Sequence, residues 1–302
     1  MENTIHTVNE LLSTLKKYQC QFGKTYRENG FIFRGVSDKS WQLLPGLFRE
    51  YKEPQNSSTI ISASYSGRIY SSNEIEILAH FKKEAIGFLP HISLDDDFTW
   101  LQYAQHFGVP TRLLDFTSNP LIALYFCCRS ESKADGIIWM VNASPFQTWS
   151  ENEMFCAILG PDCTRDAMIS SIMQSIKGYS DDDKERLEKY RPVLFTPAFI
   201  DQRMSAQSSR FLLWGKDDKP LESMIDEKNV MTLSPDGITY EVTNDKRFFA
   251  NIIISGESKH SLMWELDLLG VNEKTVFPGL DGIGRYIERY YKENIDDLCN
   301  FI

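Results

Sequence analysis

Polar side chains that could bind an anion or move a proton crowd between two apolar segments in the stretch 100–126. They are His106, Thr111, Arg112, Asp115, Thr117 and Ser118. A polar group buried without a partner costs about 1–3 kcal/mol, so a purely structural segment rarely carries so many of them. We therefore interpret the cluster as a site. The structural alternative is that Arg112 pairs with Asp115 and that Thr117 and Ser118 cap the next helix.

Two other segments carry groups of the same kind. Arg34 follows a short strand predicted over 31–33, which Gly35 is expected to end. A buried arginine needs an anionic partner, which is either an internal carboxylate such as Asp115 or a phosphate or carboxylate of a ligand. The polar run 201–210, with Arg203 and Gln207, leads into a strand predicted over 211–214. Its side chains complete the site or, alternatively, satisfy backbone groups of a connection.

The elements around the first cluster follow from spacing and capping. Apolar residues recur at helical spacing over a helix predicted for 97–107, which Gly108 and Pro110 end. Asn119 suits the cap of a second helix with Pro120 at its first position. That helix, 121–128, is apolar all round and is therefore expected to be buried. The aspartates 95–97 favour the start of the first helix, with a metal site as the alternative.

The remaining pattern predicts one domain over 1–302. Its fold class is α/β or α+β, with a mixed, mostly antiparallel central sheet flanked by helices. Helices are predicted at 8–18, after a Thr7–Glu10 capping box, and from a Ser71–Glu74 capping box to about 89. Further helices are predicted from a Ser258 cap to 269 and at about 280–291. Strands are predicted at 136–141 and 193–196, with an antiparallel hairpin of 237–242 and 246–254. Two insertions are expected, a polar one at 49–72 and a helical one at 143–192.

Composition excludes several classes of function. The 302 residues carry a net charge of −10, so non-specific binding to nucleic acid is not expected. A local basic pocket is nevertheless compatible with this acidic composition. The six cysteines form no C-x-x-C pair and have no histidine at zinc spacing, which predicts no metal site and a reducing cytoplasm. The first residues lack the apolar core of a signal peptide, and no apolar run reaches the length of a membrane span.

At these motifs the sequence resembles the FRG-domain proteins, a family named for its Phe-Arg-Gly tripeptide. The tripeptide is Phe33-Arg34-Gly35, followed by Trp41 and Pro45. The more specific match is the block Gln-His-Phe-Gly-Val-Pro-Thr-Arg-Leu-Leu-Asp at 105–115. Weaker matches are Arg203-x-x-x-Gln207-x-x-x-Phe211 and the segment 276–282. The resemblance spans roughly residues 20 to 290.

The order of these motifs is also similar to the plan of arginine-type ADP-ribosyltransferases. That resemblance implies an ADP-ribosyltransferase-like fold with NAD as the candidate substrate and no metal. The residues it implies for ligand or NAD binding are Arg34, Gly35, Thr111, Arg112, Thr117, Ser118 and Arg203. Those implied for catalysis are Gln207, His106 and Asp115. The chain departs from the plan because Gln207 stands where a glutamate is expected, so Asp115, Asp201 or His106 is the candidate replacement.

Three functions follow as expectations. The first is an ADP-ribosyltransferase-like enzyme that modifies an unknown macromolecular acceptor, with a toxin or anti-phage defence role implied by the resemblance. The second is a non-catalytic module that senses or binds a nucleotide. The third is a hydrolase or nuclease that uses His106, Arg112 and Asp115, which the acidic composition disfavours.

Overall fold

A seven-stranded mixed sheet forms the centre of the molecule. The computed structural model describes residues 4–21, 30–50, 73–130, 133–143, 172–173, 192–197, 201–215, 218–224, 231–233, 240–242 and 249–293. The strands are β1 Thr4–Ile5, β2 Phe31–Val36, β3 Leu113–Thr117, β4 Gly136–Asn142, β5 Val193–Phe195, β6 Ser209–Leu213, β7 Met231–Leu233, β8 Tyr240–Val242 and β9 Phe249–Ile254. The central sheet has the order β1-β9-β4-β2-β3-β6-β5, and β7 and β8 form a separate pair.

Nine α-helices flank the strands within the described residues. They are α1 Val8–Gln21, α2 Glu74–Ala85, α3 Asp97–His106, α4 Pro120–Cys128, α5 Gln202–Ala206, α6 Leu221–Met224, α7 Lys259–Leu268, α8 Glu273–Val276 and α9 Leu280–Glu293, with a 3-10 turn at Gly46–Phe48. Among these helices, none has the length and apolar character that crossing a bilayer requires.

Alternating side chains of the central strands fill cores on both faces of the sheet. Ile138 and Met140 of β4 pack with apolar residues of α1, α4 and α7. Ile137 and Trp139 point to the other face and pack with the 3-10 turn at 46–48 and with β3 and β6. This period of two explains why β4 is apolar along its length. Only β1 and β9 pair in parallel in the central sheet, which confirms the mixed, mostly antiparallel fold predicted from the sequence.

The sheet is nearly divided between β2 and β3. β2 pairs with β4 over six residues, and β3 pairs with β6 over five. Between β2 and β3 only Phe33 and Thr117 are in register. The rest of this boundary lacks the backbone ladder that joins the other strands, so side chains of both strands can reach the space between them.

Local sequence signals placed most helix starts correctly. Thr7 and Glu10 form the predicted capping box, with Glu10 N–H donating to Thr7 Oγ1 at 3.2 Å and Thr7 N–H to Glu10 Oε2 at 3.3 Å. Asp96 accepts from Thr99 N–H at 3.0 Å and so caps α3, in line with the helix interpretation of this acidic run. Asn119 caps α4 at 2.9 Å with Pro120 at the first position.

Three expectations about the helices and the hairpin were wrong. The predicted hairpin does not form, because β8 pairs with β7 whereas β9 lies in the central sheet between β1 and β4. Ser258 makes no side-chain cap on α7, and its hydroxyl instead contacts His6 Nδ1 at 2.8 Å. The helix expected to reach residue 89 ends at Ala85. Most of the two predicted insertions lies outside the described residues. The first lacks a description over 51–72, which includes Ser71 of the predicted capping box, and the second over 144–171 and 174–191.

Gly35 does not end its strand, contrary to expectation. β2 continues to Val36, and Gly35 pairs with Ile138 inside the sheet. A Cβ at position 35 would lie 1.8 Å from the backbone oxygen of Ala123, so the glycine is required where α4 crosses β2. The tripeptide therefore fixes the position of the helix that follows the polar cluster.

Candidate functional site

A cleft of about 220 Å³ opens where β2 and β3 separate. Residues of six elements, β2, α3, β3, α4, α5 and β6, line it. They are Phe33, Arg34, Gly35, Gln105, His106, Asp115, Phe116, Thr117, Ala123, Phe126, Arg203, Met204, Gln207, Ser209 and Phe211. Seven of the ten residues expected at the site are among them, namely Arg34, Gly35, His106, Asp115, Thr117, Arg203 and Gln207.

Arg34 spans the gap between the two strands. Its Nη1 donates to the backbone carbonyl of Asp115 at 2.6 Å and lies 4.0 Å from the Asp115 carboxylate. Its Nε is buried and has no hydrogen-bond partner. Burial lowers the pKa of Arg34 to about 10, although the charge of Asp115 opposes this shift. Because Arg34 remains charged at neutral pH with a donor unused, it can bind an anion in the cleft.

Arg203 brings a second guanidinium to the cleft from α5. Asp201 accepts from Arg203 N–H and so begins this short helix. The guanidinium carbon lies 4.8 Å from the ring centre of Phe277, and the buried Nε has no hydrogen-bond partner. Burial lowers the pKa of Arg203, and Asp115 counteracts the effect. Two arginines from separate elements thus each keep a buried donor without a partner beside one cleft.

Asp115 is the exposed position of an otherwise buried strand. Its side chain is 51% exposed, whereas its four neighbours in β3 are buried. Its Oδ2 accepts a hydrogen bond from Gln105 Nε2 at 2.5 Å. Gln105 Oε1 in turn accepts from Thr111 Oγ1 at 2.5 Å. Gln105 and Thr111 therefore orient a carboxylate that remains accessible to a ligand.

His106 lies at the end of α3 and faces α5. Its Nε2 is 3.2 Å from Asp201 Oδ2. Burial lowers the pKa of His106 below its usual 6.5, and the nearby Asp201 carboxylate opposes the shift. The imidazole is therefore mostly neutral at pH 7 and can accept a proton.

The junction between α5 and β6 holds the opposite side of the cleft. Thr117 Oγ1 donates to the backbone carbonyl of Gln207 at 2.6 Å, and Gln207 Nε2 donates to Val276 O at 3.1 Å. Ser208 follows in the left-handed region at φ 50°, which is uncommon for a residue with a side chain. Its carbonyl accepts from Ser118 N–H at 3.1 Å. The hydrogen bonds from Thr117 and Ser118 hold the chain in this conformation between Gln207 and β6.

Arg112 does not line the cleft, and it makes four hydrogen bonds within the protein. Its Nε donates to Glu74 Oε1 at 2.6 Å, and its Nη2 pairs with Glu74 Oε2. Its Nη1 donates to Trp214 O at 3.0 Å and Gly215 O at 2.6 Å. The structural alternative from the sequence, in which Arg112 pairs with Asp115, is therefore wrong about the partner, which is Glu74. Arg112 therefore has a structural role at this position and is not part of the cleft lining.

Thr111 and Ser118 also lie outside the cleft lining. Thr111 acts indirectly, through Gln105, on the orientation of Asp115. Ser118 Oγ lies 3.4 Å from Ser208 O and so contacts the strained turn. Within the described residues, no group of three or more His, Cys, Asp and Glu side chains is placed to hold a metal ion.

Sequence reasoning missed Gln105 and the aromatic residues Phe126 and Phe277. Gln105 heads the long motif block, so its position there was an available signal. Phe277 belongs to the C-terminal motif, and nothing in that motif alone indicated that its ring lies against Arg203.

Comparison with known proteins identifies the segment that contains the Phe-Arg-Gly tripeptide and the long motif block. Residues 29–136 match the family model of the FRG domain. This segment of the chain is an FRG domain. The match contains Arg34, His106 and Asp115, whereas Arg203 and Gln207 lie beyond it. No curated protein and no solved structure matches the chain.

Proposed function

We propose that the cleft of this FRG-domain protein binds NAD and that the chain is an ADP-ribosyltransferase-like enzyme. One observation carries the proposal: Arg34 and Arg203 each keep a buried Nε without a partner beside the same cleft. An unpaired buried donor on a charged group is costly, and the phosphates of a dinucleotide would satisfy both.

The size of the cleft limits how NAD would lie. A volume of about 220 Å³ is below the roughly 300–1,000 Å³ of sites that enclose a drug-sized ligand. We therefore expect only part of the dinucleotide to be enclosed, with the remainder extending along the surface. The partially exposed Asp115 marks the open side.

The residues in the cleft suit cleavage of the bond between nicotinamide and ribose. When that C–N bond breaks, its electron pair leaves with nicotinamide and positive charge develops at the ribose carbon. The Asp115 carboxylate would stabilise this charge. The acceptor nucleophile then bonds to the same carbon, and neutral His106 would take its proton. Thr117 and the Gln207 carbonyl hold the surrounding backbone.

The glutamine at position 207 favours a second candidate function. A carboxamide cannot act as the carboxylate expected there, and its Nε2 is already bonded to Val276 O. If Asp115 does not replace the missing carboxylate, the same arginines form a module that binds a nucleotide without transfer. The hydrolase alternative has less support, because Arg112 is not in the cleft with His106 and Asp115.

The cellular role extends the proposal beyond the cleft. The acceptor would be a macromolecule, and a toxin or anti-phage defence role rests on the family resemblance alone. A cytoplasmic location is proposed from the sequence, and the free buried thiols Cys127 and Cys128 are compatible with a reducing compartment.

The test measures nicotinamide release from NAD by the purified chain with cell lysate as acceptor source. We expect release by the unmodified protein and by Arg210→Gln, because Arg210 lies on β6 outside the cleft lining. Arg34→Gln should abolish it. In parallel, calorimetric titration of NAD should show binding that Arg34→Gln weakens by about tenfold or more.

The two measurements separate the candidates. Binding without release would support the nucleotide-binding module and reject the transferase. Absence of both would reject NAD as the ligand. Equal effects of Arg34→Gln and Arg210→Gln would show that the loss comes from charge in general and not from the cleft.

A further inference from the structure

A second, larger groove lies on the other side of α4 from the cleft. Its volume is about 890 Å³, and α4, α7, α8 and α9 contribute to its walls. Phe126 lines the cleft, whereas the adjacent Tyr125 lines the groove. None of the residues assigned to NAD lines it.

The groove is basic, although the protein carries a net charge of −10. Six lysines and arginines line it against three glutamates. Part of this charge is used internally, since Arg289 pairs with Glu273 at 3.0 Å and Lys259 donates to Ser37 O at 2.6 Å. A local excess of positive charge on an acidic protein points to an anionic ligand.

Three guanidinium groups lie around the ring of Phe277, and two of them line the groove, whereas the third, that of Arg203, lines the cleft. Their carbons lie 5.5 Å (Arg129), 4.8 Å (Arg203) and 4.9 Å (Arg285) from the ring centre of Phe277. Arg129 makes no ion pair within the described residues, and Arg285 has only Asp281 at 3.8 Å, itself highly exposed. Burial lowers the pKa of Arg203 most, and the charges of Arg129 and Arg285 lower it further, so the three groups repel one another and a nearby anion would relieve the repulsion.

The hydroxyl of Tyr125 is a second, independent indication. This residue is 2% exposed and lines the groove, yet its hydroxyl makes no hydrogen bond within the described part of the chain. Burial raises the pKa of Tyr125, so the hydroxyl stays protonated and can donate. The oxygen itself is reached by solvent, so it can donate to a ligand in the groove.

We propose that Tyr125, Arg129 and Arg285 form a binding site for the phosphates of a ligand with two or more phosphate groups. The guanidiniums would each bind phosphate oxygens, and the tyrosine hydroxyl would add a neutral hydrogen bond. The ligand is either a small polyphosphorylated molecule or a nucleic-acid strand, whose phosphates present the same chemistry. This site does not depend on NAD binding in the cleft.

The test is calorimetric titration with inorganic pyrophosphate. We expect Arg129→Gln and Arg285→Gln each to weaken binding about tenfold, and Tyr125→Phe to weaken it by a smaller factor. Both arginines are exposed and the tyrosine hydroxyl has no internal hydrogen bond, so the variants should fold. Lys16→Gln, which removes an exposed charge from α1, is the matched control and should bind normally.

Arg34→Gln distinguishes the groove from the cleft. If this variant loses pyrophosphate binding whereas Arg129→Gln does not, the anion lies in the cleft and the groove proposal is wrong. The proposal would also be overturned if the unmodified protein bound neither pyrophosphate nor a single-stranded oligonucleotide. Oligonucleotide binding that weakens in the same variants and with salt would assign the phosphates to a strand. Pyrophosphate binding alone would assign them to a small molecule.

Discussion

Arg34, which is partly buried, and Arg112, which is buried, stand in motifs of the same family, and they have opposite surroundings. Arg112 donates from all three nitrogens, to both oxygens of Glu74 and to the carbonyls of Trp214 and Gly215. Arg34 makes one hydrogen bond, to the Asp115 carbonyl, and keeps a buried Nε unpaired. The first arginine holds the sheet to α2, whereas the second is available to a ligand.

This difference shows that membership of a motif does not assign a role. Burial of a charge costs free energy in both positions, but at Arg112 the protein compensates that cost internally. At Arg34 the compensation is incomplete, which is the usual condition of a binding residue. The count of satisfied donors therefore distinguishes Arg112, which is bound within the protein, from Arg34, the proposed binding residue, where residue type cannot.

The largest expected effect is on stability at Arg112. Arg112→Met should lower the free energy of unfolding by about 3–5 kcal/mol, because it leaves the Glu74 carboxylate buried without a partner. Arg34→Met should lower it by only about 1 kcal/mol, the value of one hydrogen bond. Urea denaturation of both variants measures the difference. Similar losses in the two variants would mean that Arg34 is also structural and would remove the basis of the binding proposal.

A smaller effect is expected from the pH dependence of His106. Its pKa in the folded protein lies below the 6.5 of the unfolded chain, so its contribution to stability is fully present above pH 6.5. That contribution is lost as the pH falls through 6.5 toward the folded-state pKa, because the unfolded chain then binds the proton more readily. Denaturation between pH 5 and 8 should show this loss in the unmodified protein and a weaker one in His106→Gln.

The rate of nicotinamide release should also depend on His106. It should be constant from pH 7 to 8 and decrease when the pH is lowered below 6.5. A rate that rises as the pH drops would exclude neutral His106 as the base.

Local signals in the sequence predicted the elements of the cleft but not its geometry. Asn119, Pro120 and the Thr7–Glu10 box act within one helical turn, and each was identified correctly. Gly35 was misinterpreted because a glycine is required there by a tertiary contact and not by the end of a strand. The backbone of α4 passes so close to Gly35 that a side chain would not fit.

The partner of Arg112 shows the same limit over a longer distance. Glu74 lies 38 positions earlier, and no spacing rule connects it to the motif block. The separation of β2 from β3, which creates the cleft, depends on strand register and could not be predicted from composition or periodicity. The hairpin prediction failed for the same reason, because β9 pairs with β1 and β4, which are distant in the sequence.

The smallest expected effect tests whether the strained turn belongs to the cleft or to the structural framework. Ser208→Gly removes the left-handed strain of about 1–2 kcal/mol but increases the entropy lost on folding by about 0.5–1 kcal/mol. The free energy of unfolding should therefore change by no more than about 1 kcal/mol. Since Ser208 separates Gln207 from β6, added freedom there should weaken NAD binding while the fold stays intact. A loss of stability as large as that of Arg112→Met would place Ser208 in the structural framework, and the strain at this turn would then have no bearing on the ligand.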